Sequence, residues 1–342
     1  MPEKDKTAIL LILSILLLVV VIADLALGSV FIPFREFIKI IAGKSDNANW
    51  VYIVLQLRAP RVITAILAGA GLSAAGLMMQ TLFRNPLAGP YVLGISSGAS
   101  LGVALFIMAA GLLPFSLAGI AMYWGHALAA ITGAILVFLL IVVVAGRIRD
   151  SVSLLIVGIM FGSIAGALIN ILQYFSTPDQ IQKFVIWTMG SLSATGWKQI
   201  LVLSPFVLAG TVVSVLLIKP MNALLLGENN ARISGVNIER TRYLILIATC
   251  LLAGAITAFT GPLAFIGLAV PHLTRMLFKS TNHRIIVPGV LLAGALQLVI
   301  CDLLSQVPGK NLVLPINAIN ALFGAPVVLW IIIGRKKLKT AF

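Results

Sequence analysis

Side chains able to do covalent or acid–base chemistry are few in this sequence, and they are scattered. The three histidines, His126, His272 and His283, are too far apart for metal-ligand spacing, and packed or interfacial positions suit them better. Cys250 and Cys301 each fall inside an apolar run, so they offer neither a disulfide framework nor a metal pair. Ala42-Gly43-Lys44-Ser45 ends like a phosphate-binding loop, but Ile38 stands where the first glycine must be and no strand precedes it. Asp24 and Asp302 lie near the ends of apolar runs. There a carboxylate costs less than the roughly 2.5–3.5 kcal/mol of the bilayer centre. The polar residues near the middle of such runs, among them Gln80, His126, Asn170 and Gln297, are neutral. No paired catalytic groups share a depth, so enzymatic chemistry has no supply. A carrier driven by protons or sodium needs an ionisable or coordinating group at mid-membrane, and that too is wanting. The inventory predicts a passage whose energy comes from elsewhere.

Recognition chemistry is better represented. Arg58-Ala59-Pro60-Arg61 spaces two guanidinium groups three residues apart, and a first-turn Pro60 would aim both at one outer patch. Such a patch suits lipid phosphate or, through the planar fork of arginine, carboxylates on a partner. Gly158, Gly162 and Gly166 recur every fourth residue and continue into Asn170 and Tyr174. Small residues at that spacing let two helix backbones approach, within one subunit or between two. Asn170 and Tyr174 would also suit a pore wall.

The polar stretch from Lys219 to Arg242 divides two halves of nearly unbroken apolar sequence. Pro220 suits a first helical position, and Gly227 suits the residue just past a helix end. Asn229 or Asn230 can cap a second helix, which Gly235 can close. Two capped short helices on a basic loop predict a platform for a soluble partner, or else a structured connector.

The elements that carry these groups follow from composition. Hydrophobic residues make up 60% of the 342 and charged residues 10%, with a mean hydropathy of +1.11. No water-soluble domain can bury so much apolar surface, so the chain is an all-α polytopic membrane protein. A net charge of +14 would suggest nucleic acid in a soluble protein, but here its placement points to the bilayer. Ten spans are expected, near 7–28, 62–82, 92–113, 117–145, 153–175, 199–218, 243–260, 263–279, 285–305 and 315–334. The first follows MPEKDK and lacks a small-residue cleavage site, so it reads as a span and not a removed signal. With both termini inside, about two-thirds of the 24 Lys and Arg residues fall on the inner side, as positive-inside bias requires. On the outer side, Pro33 opens an amphipathic surface stretch, and Thr177-Pro178 opens a short helix that Gly190 can close. No linker divides the chain, which reads as a single domain over 1–342. A weak inverted repeat pairs Arg61–Ala88, ending Asn-Pro-Leu-Ala, with Tyr243–Ala264, ending Gly-Pro-Leu-Ala.

Together these features resemble the permease subunits of type II ABC importers for iron–siderophore, haem and cobalamin complexes. The likeness covers nearly the whole chain. It is carried by Arg58–Arg61, by Gln80-Thr81-Leu82-Phe83-Arg84-Asn85-Pro86-Leu87-Ala88, by Leu93–Ala99, by Met189–Leu192, by Gly227–Val236 and by Phe265–His272. The resemblance implies a homodimer around a central pathway in the cytoplasmic membrane, two cytoplasmic ATPase subunits that hold ATP and Mg, and an external substrate-binding protein. This chain itself would hold no cofactor or metal. Arg58 and Arg61 would meet acidic residues of the binding protein, and Gly227, Ala231, Arg232 and Gly235 would seat the ATPase. Asn85, Leu87 and Ser151 would form the cytoplasmic gate, with Gly158, Gly162, Gly166 and Asn170 at the pathway or dimer interface. Where some relatives carry a further arginine beyond the aspartate of span nine, this chain has Gln306, with Lys310 as a substitute. Iron–siderophore is the default substrate, being the commonest in the family, with haem and cobalamin behind.

With Cys250 and Cys301 replaced, a single cysteine at Ser45 should react with an impermeant thiol reagent from outside, and one at Asn230 only from inside. Outside labelling at Asn230 would reverse the central loop and sink the ten-span topology.

Overall fold

The computed structural model describes residues 3–28, 30–108, 118–148, 151–306 and 313–333, and every regular element among them is helical. Helix α1 (Glu3–Ala26) opens on Glu-Lys-Asp-Lys and is mostly large aliphatic residues from Ile9 to Ile22. Helix α2 (Phe34–Ile41) buries Phe37 and Ile40 and leaves Phe34, Ile38 and Ile41 exposed, as a surface-lying amphipathic helix should. Helix α3 (Ala48–Tyr52) starts where Asn47 Oδ1 accepts from the Trp50 N–H at 3.2 Å. A wider π turn over 53–58 carries it into α4 (Ala59–Leu82). That turn directly precedes Pro60, which has no N–H to give a regular ladder.

After a break at 83–94 come α5 (Ile95–Met108), α6 (Ala118–Arg147), α7 (Ser151–Tyr174) and α8 (Pro178–Thr188). The last is the short helix expected after Thr177-Pro178, opened by a Thr177/Gln180 capping box. Then follow α9 (Trp197–Leu216), α10 (Ile218–Leu225), α11 (Glu228–Ile233) and α12 (Ile238–Thr260). A second break at Gly261–Phe265 leads to α13 (Ile266–Phe278), α14 (His283–Ser305) and α15 (Ile316–Ile333).

Among the described residues seven helical segments are long and apolar enough to cross a bilayer: α1, the continuous 48–82 helix, α6, α7, α9, α12 and α14. The shorter apolar helices α5, α13 and α15 occupy the other three expected places. Both α5 and α13 start three residues later than expected, at Ile95 and Ile266, because the chain before each is unwound.

The core is built on α4, whose small residues let neighbours close in. A Cβ on Gly69 would stand 2.2 Å from the Gly294 carbonyl oxygen, so α4 and α14 touch backbone to backbone there. Likewise a Cβ on Gly76 would stand 1.7 Å from the Gly267 oxygen, which sets the start of α13 against α4. Gly76 lies six residues, about 9 Å, short of the inner end of α4, so the second break reaches down to bilayer depth. Its freed backbone groups are met from α15. Asn317 Oδ1 accepts from the Ala264 N–H at 3.0 Å, and its Nδ2 donates to the Pro262 carbonyl. Asn320 Nδ2 donates to the Ala264 carbonyl. The first break meets the second, since the Tyr91 hydroxyl donates to the Leu263 carbonyl. The second Pro-Leu-Ala segment of the inverted repeat is thus reached by Tyr91, three residues beyond the first.

Gly294→Val should wedge α4 from α14 and cost about 1–3 kcal/mol or more, seen as loss of the monodisperse peak on detergent size-exclusion. Gly166→Ala, which faces open space, should elute as wild type. Unchanged behaviour of Gly294→Val would show that the two backbones do not touch.

Candidate functional site

The Lys219–Arg242 stretch folds into two short helices joined through Leu226 and Gly227. Gly227 N–H closes α10 on the Leu224 carbonyl at 3.0 Å, and the Gly227 carbonyl accepts the first α11 bond, from Ala231, at 2.9 Å. Its φ of 102° and ψ of 153° form a backbone shape open to glycine and strained for any other residue. At the far end the Val236 N–H reaches the Ala231 carbonyl at 3.0 Å and Gly235 N–H reaches Arg232 at 2.9 Å, a Schellman stop with Gly235 at φ 80°. Two details differ from expectation. Helix α10 begins two residues before Pro220, at Ile218, and Gly227 precedes α11 in the capping place. Asn230 instead donates from Nδ2 to the Leu226 carbonyl at 2.7 Å.

The platform is seated from below and open above. Met221, Leu224 and Ala231 are buried, whereas Leu226 is 68% and Ile233 85% exposed, with Arg232 exposed between them. Glu228 pairs with Arg242 at 3.6 Å, which ties α11 to the start of α12. The apolar pair Leu226 and Ile233 was not singled out from sequence. Its signal was there, in two large aliphatic residues at the ends of helices too short to bury them.

At the opposite end of α4 the two arginines are not on an open patch. Arg58 is 5% and Arg61 9% exposed. Arg61 Nε donates to both Asp302 oxygens at 2.8 Å, and its Nη2 reaches Asp302 Oδ1 at 2.6 Å and Ser305 Oγ at 2.9 Å. Arg58 donates to the carbonyls of Leu25 (3.0 Å) and Ala26 (2.9 Å), which α1 leaves unpaired at its C-terminus, and to that of Val30 (2.6 Å) just beyond it. Gln306 Nε2 bridges Asp24 Oδ1 at 2.8 Å and Asp302 Oδ2 at 3.2 Å. These contacts make the two arginines an internal clamp that joins α1, α4 and α14. Lys310 lies outside the described residues.

The glycine stripe of α7 divides in two. A Cβ on Gly158 would meet the Val92 oxygen at 2.5 Å, and one on Gly162 would meet Ser97 Oγ at 3.3 Å. These two glycines therefore pack within the chain. Gly166 faces open space and Asn170 is exposed, next to Ile164, Leu168, Ile171 and Tyr174 on an uncovered apolar face. At the first break Asn85 Oδ1 accepts from the Leu87 N–H at 3.0 Å, and both residues are half-buried. Ser151 is the first residue of α7, and its side chain lies outside the described residues. The guanidinium of the preceding Arg84 would lie 3.8 Å from a Cβ on Gly227, so this break abuts the platform.

The described residues thus form a helical bundle of apolar, membrane-length helices with two breaks and a seated, solvent-exposed platform. Residues 16–334 match the FecCD transport family, and the chain belongs to that family. It is 34% identical to the hemin transport system permease protein HmuU of Yersinia pestis over 326 residues, 95% of each chain. It is also 34% identical to the vitamin B12 import system permease protein BtuC of Salmonella typhi, over 97% of this chain and 96% of that one. A solved inward-facing structure of a metal-chelate type ABC transporter superposes with a TM-score of 0.81 at 26% identity, covering 96% of this chain and 99% of that one.

Removing one member of a buried ion pair costs about 3–5 kcal/mol, because the other charge is stranded. Arg61→Met should lower the melting temperature of the detergent-purified chain sharply, and Arg61→Met with Asp302→Leu should recover most of the loss. A single variant as stable as wild type would place Arg61 at the surface.

Proposed function

We propose that this chain is the membrane subunit of an ATP-driven importer of a bulky metal chelate. It would work in the cytoplasmic membrane, with both termini inside, as a homodimer joined by two cytoplasmic ATPase subunits and an external binding protein. ATP and Mg would belong to the ATPase, and the binding protein would select the chelate. The observation that carries this reading is the platform. A loop that merely connected two spans has no use for a glycine-only hinge, a Schellman stop and an Ile233 held 85% exposed. A rigid, water-facing, apolar and basic surface is what a soluble ATPase would grip. Gly227 and Gly235 would fix its shape, Ala231 its seat, and Arg232 with Ile233 its contact.

The uncovered α7 face bearing Gly166 and Asn170 would supply the dimer and pathway wall, and Asn85, Leu87 and Ser151 the inner gate. The names of the relatives carry haem and cobalamin, both metal chelates, which supports the class. Iron–siderophore as the particular chelate rests on the family resemblance alone. Uptake by reconstituted complex of radio-iron-labelled hemin, a ferric hydroxamate siderophore and labelled cobalamin would decide among them.

Ile233→Glu, Arg232→Glu and Gly235→Val should each cut the ATPase that co-purifies with the chain at least about tenfold, the size of a hot-spot loss, while the permease still inserts. Wild-type recovery in all three would reduce the platform to a connector.

A further inference from the structure

The two platform helices are tied to the membrane bundle by different means. Helix α11 is held to α12 by Glu228 and Arg242 at its water-facing rim. Helix α10 carries Asn222, whose side chain reaches into the bundle. Asn222 Oδ1 accepts from the backbone N–H of His283 at 2.9 Å and lies 2.9 Å from His283 Nδ1, while Asn222 Nδ2 donates to Asn282 Oδ1 at 3.1 Å. On the far side of the ring, His283 Nε2 lies 2.9 Å from Thr81 Oγ1 at the end of α4. His283 and Thr81 are buried, 1% and 0% exposed. The neutral ring is satisfied when Nδ1–H donates to Asn222 Oδ1 and the Thr81 hydroxyl turns its one proton to Nε2 and away from the Leu77 carbonyl, which lies 2.8 Å from Thr81 Oγ1. A single imidazole thus bridges the platform, the first residue of α14 and the last turn of α4.

That bridge lands on the stiffest part of the bundle. Helices α4 and α14 are fixed to each other at three heights. The Arg61–Asp302 pair holds them at the outer end, the Gly69–Gly294 backbone contact at the middle, and Thr81–His283 at the inner end. A displacement of α10 that reached Asn222 would therefore move α4 and α14 together along their whole length. By contrast, Met221 and Leu224 give α10 only an apolar seat, and such contacts slide more easily than directed hydrogen bonds break.

We infer that Asn222, His283 and Thr81 form a hydrogen-bonded strut that transmits motion of the platform to the α4–α14 pair, which makes them positioning residues for coupling. This rests on the platform reading above and adds the route by which its motion enters the membrane. None of the three residues reaches the exposed Arg232–Ile233 surface, so cutting the strut should leave ATPase attachment intact.

The test uses the complex of permease and co-purified ATPase, with Cys250 and Cys301 replaced and a single reporter cysteine at the exposed Leu304 on the outer part of α14. Its reactivity toward a thiol reagent is measured with and without ATP and vanadate. The wild-type strut should give a change of at least about fivefold, the low end of coupling between distant sites. Thr81→Val, which removes only the hydroxyl, Asn222→Leu and His283→Phe should abolish that change while retaining ATPase and hydrolysis. Thr81→Ser, which restores the hydroxyl, should restore it. Three results would overturn the strut: a wild-type response in the Thr81→Val and His283→Phe complexes, no rescue by serine, or loss of the ATPase in step with loss of the response. The first of these leaves the platform reading standing. A wild-type chain that retains no ATPase overturns the platform, and the strut with it.

Discussion

The bundle depends on one constraint: a peptide group that leaves a helix inside a bilayer must find a protein partner, because lipid offers none. Two stretches interrupt the α-helices of this apolar chain, 83–94, which keeps one 3-10 turn at Pro90–Leu93, and Gly261–Phe265. Asn317 and Asn320 of α15 satisfy the second, and Tyr91 joins it to the first. Asn320 also accepts from Gln297 Nε2 on α14 at 3.1 Å, so the same side chains knit α13, α14 and α15. Much of the neutral polar inventory at mid-membrane is thereby accounted for. Gln80 behaves likewise, donating to the Leu268 carbonyl at 3.0 Å and accepting from Arg275 at 2.6 Å. These groups serve the backbone and their neighbours, and a cargo need not find them.

Features set by local rules were legible in the sequence. Gly227 and Gly235 were readable as helix punctuation because few other residues tolerate such backbone angles, and the Thr177 cap because its partner Gln180 is three residues away. The spans showed in apolar length alone. Where spans end was less legible, since the late starts of α5 and α13 depend on side chains of α15 and of the other break. A hydropathy window cannot see hydrogen bonds across more than 50 residues, such as Ala264 to Asn317.

The internal partners of the arginines were hidden for the same reason in a sharper form. Arg58 and Arg61 look solvent-directed because a guanidinium at a span end usually snorkels. Their partners are 28 to 33 residues away for Arg58 and 241 for Arg61. Asp302 was visible, but nothing in its neighbourhood names Arg61. Gly158 and Gly162 were open to both an internal and an intersubunit reading, and only the contacts with Val92 and Ser97 decide between them.

The separation between Arg61 and Asp302 has a consequence for the order in which the chain can be made. At about 5–20 residues per second, the 241 residues between them take roughly 12–48 seconds to synthesise. For that interval α4 sits in the membrane with a guanidinium whose carboxylate does not yet exist. Of the two carboxylates that Gln306 bridges in the finished chain, Asp24 on α1 is made before Arg61 and Asp302 long after it. The last third of the gene then completes a core that the first fifth began.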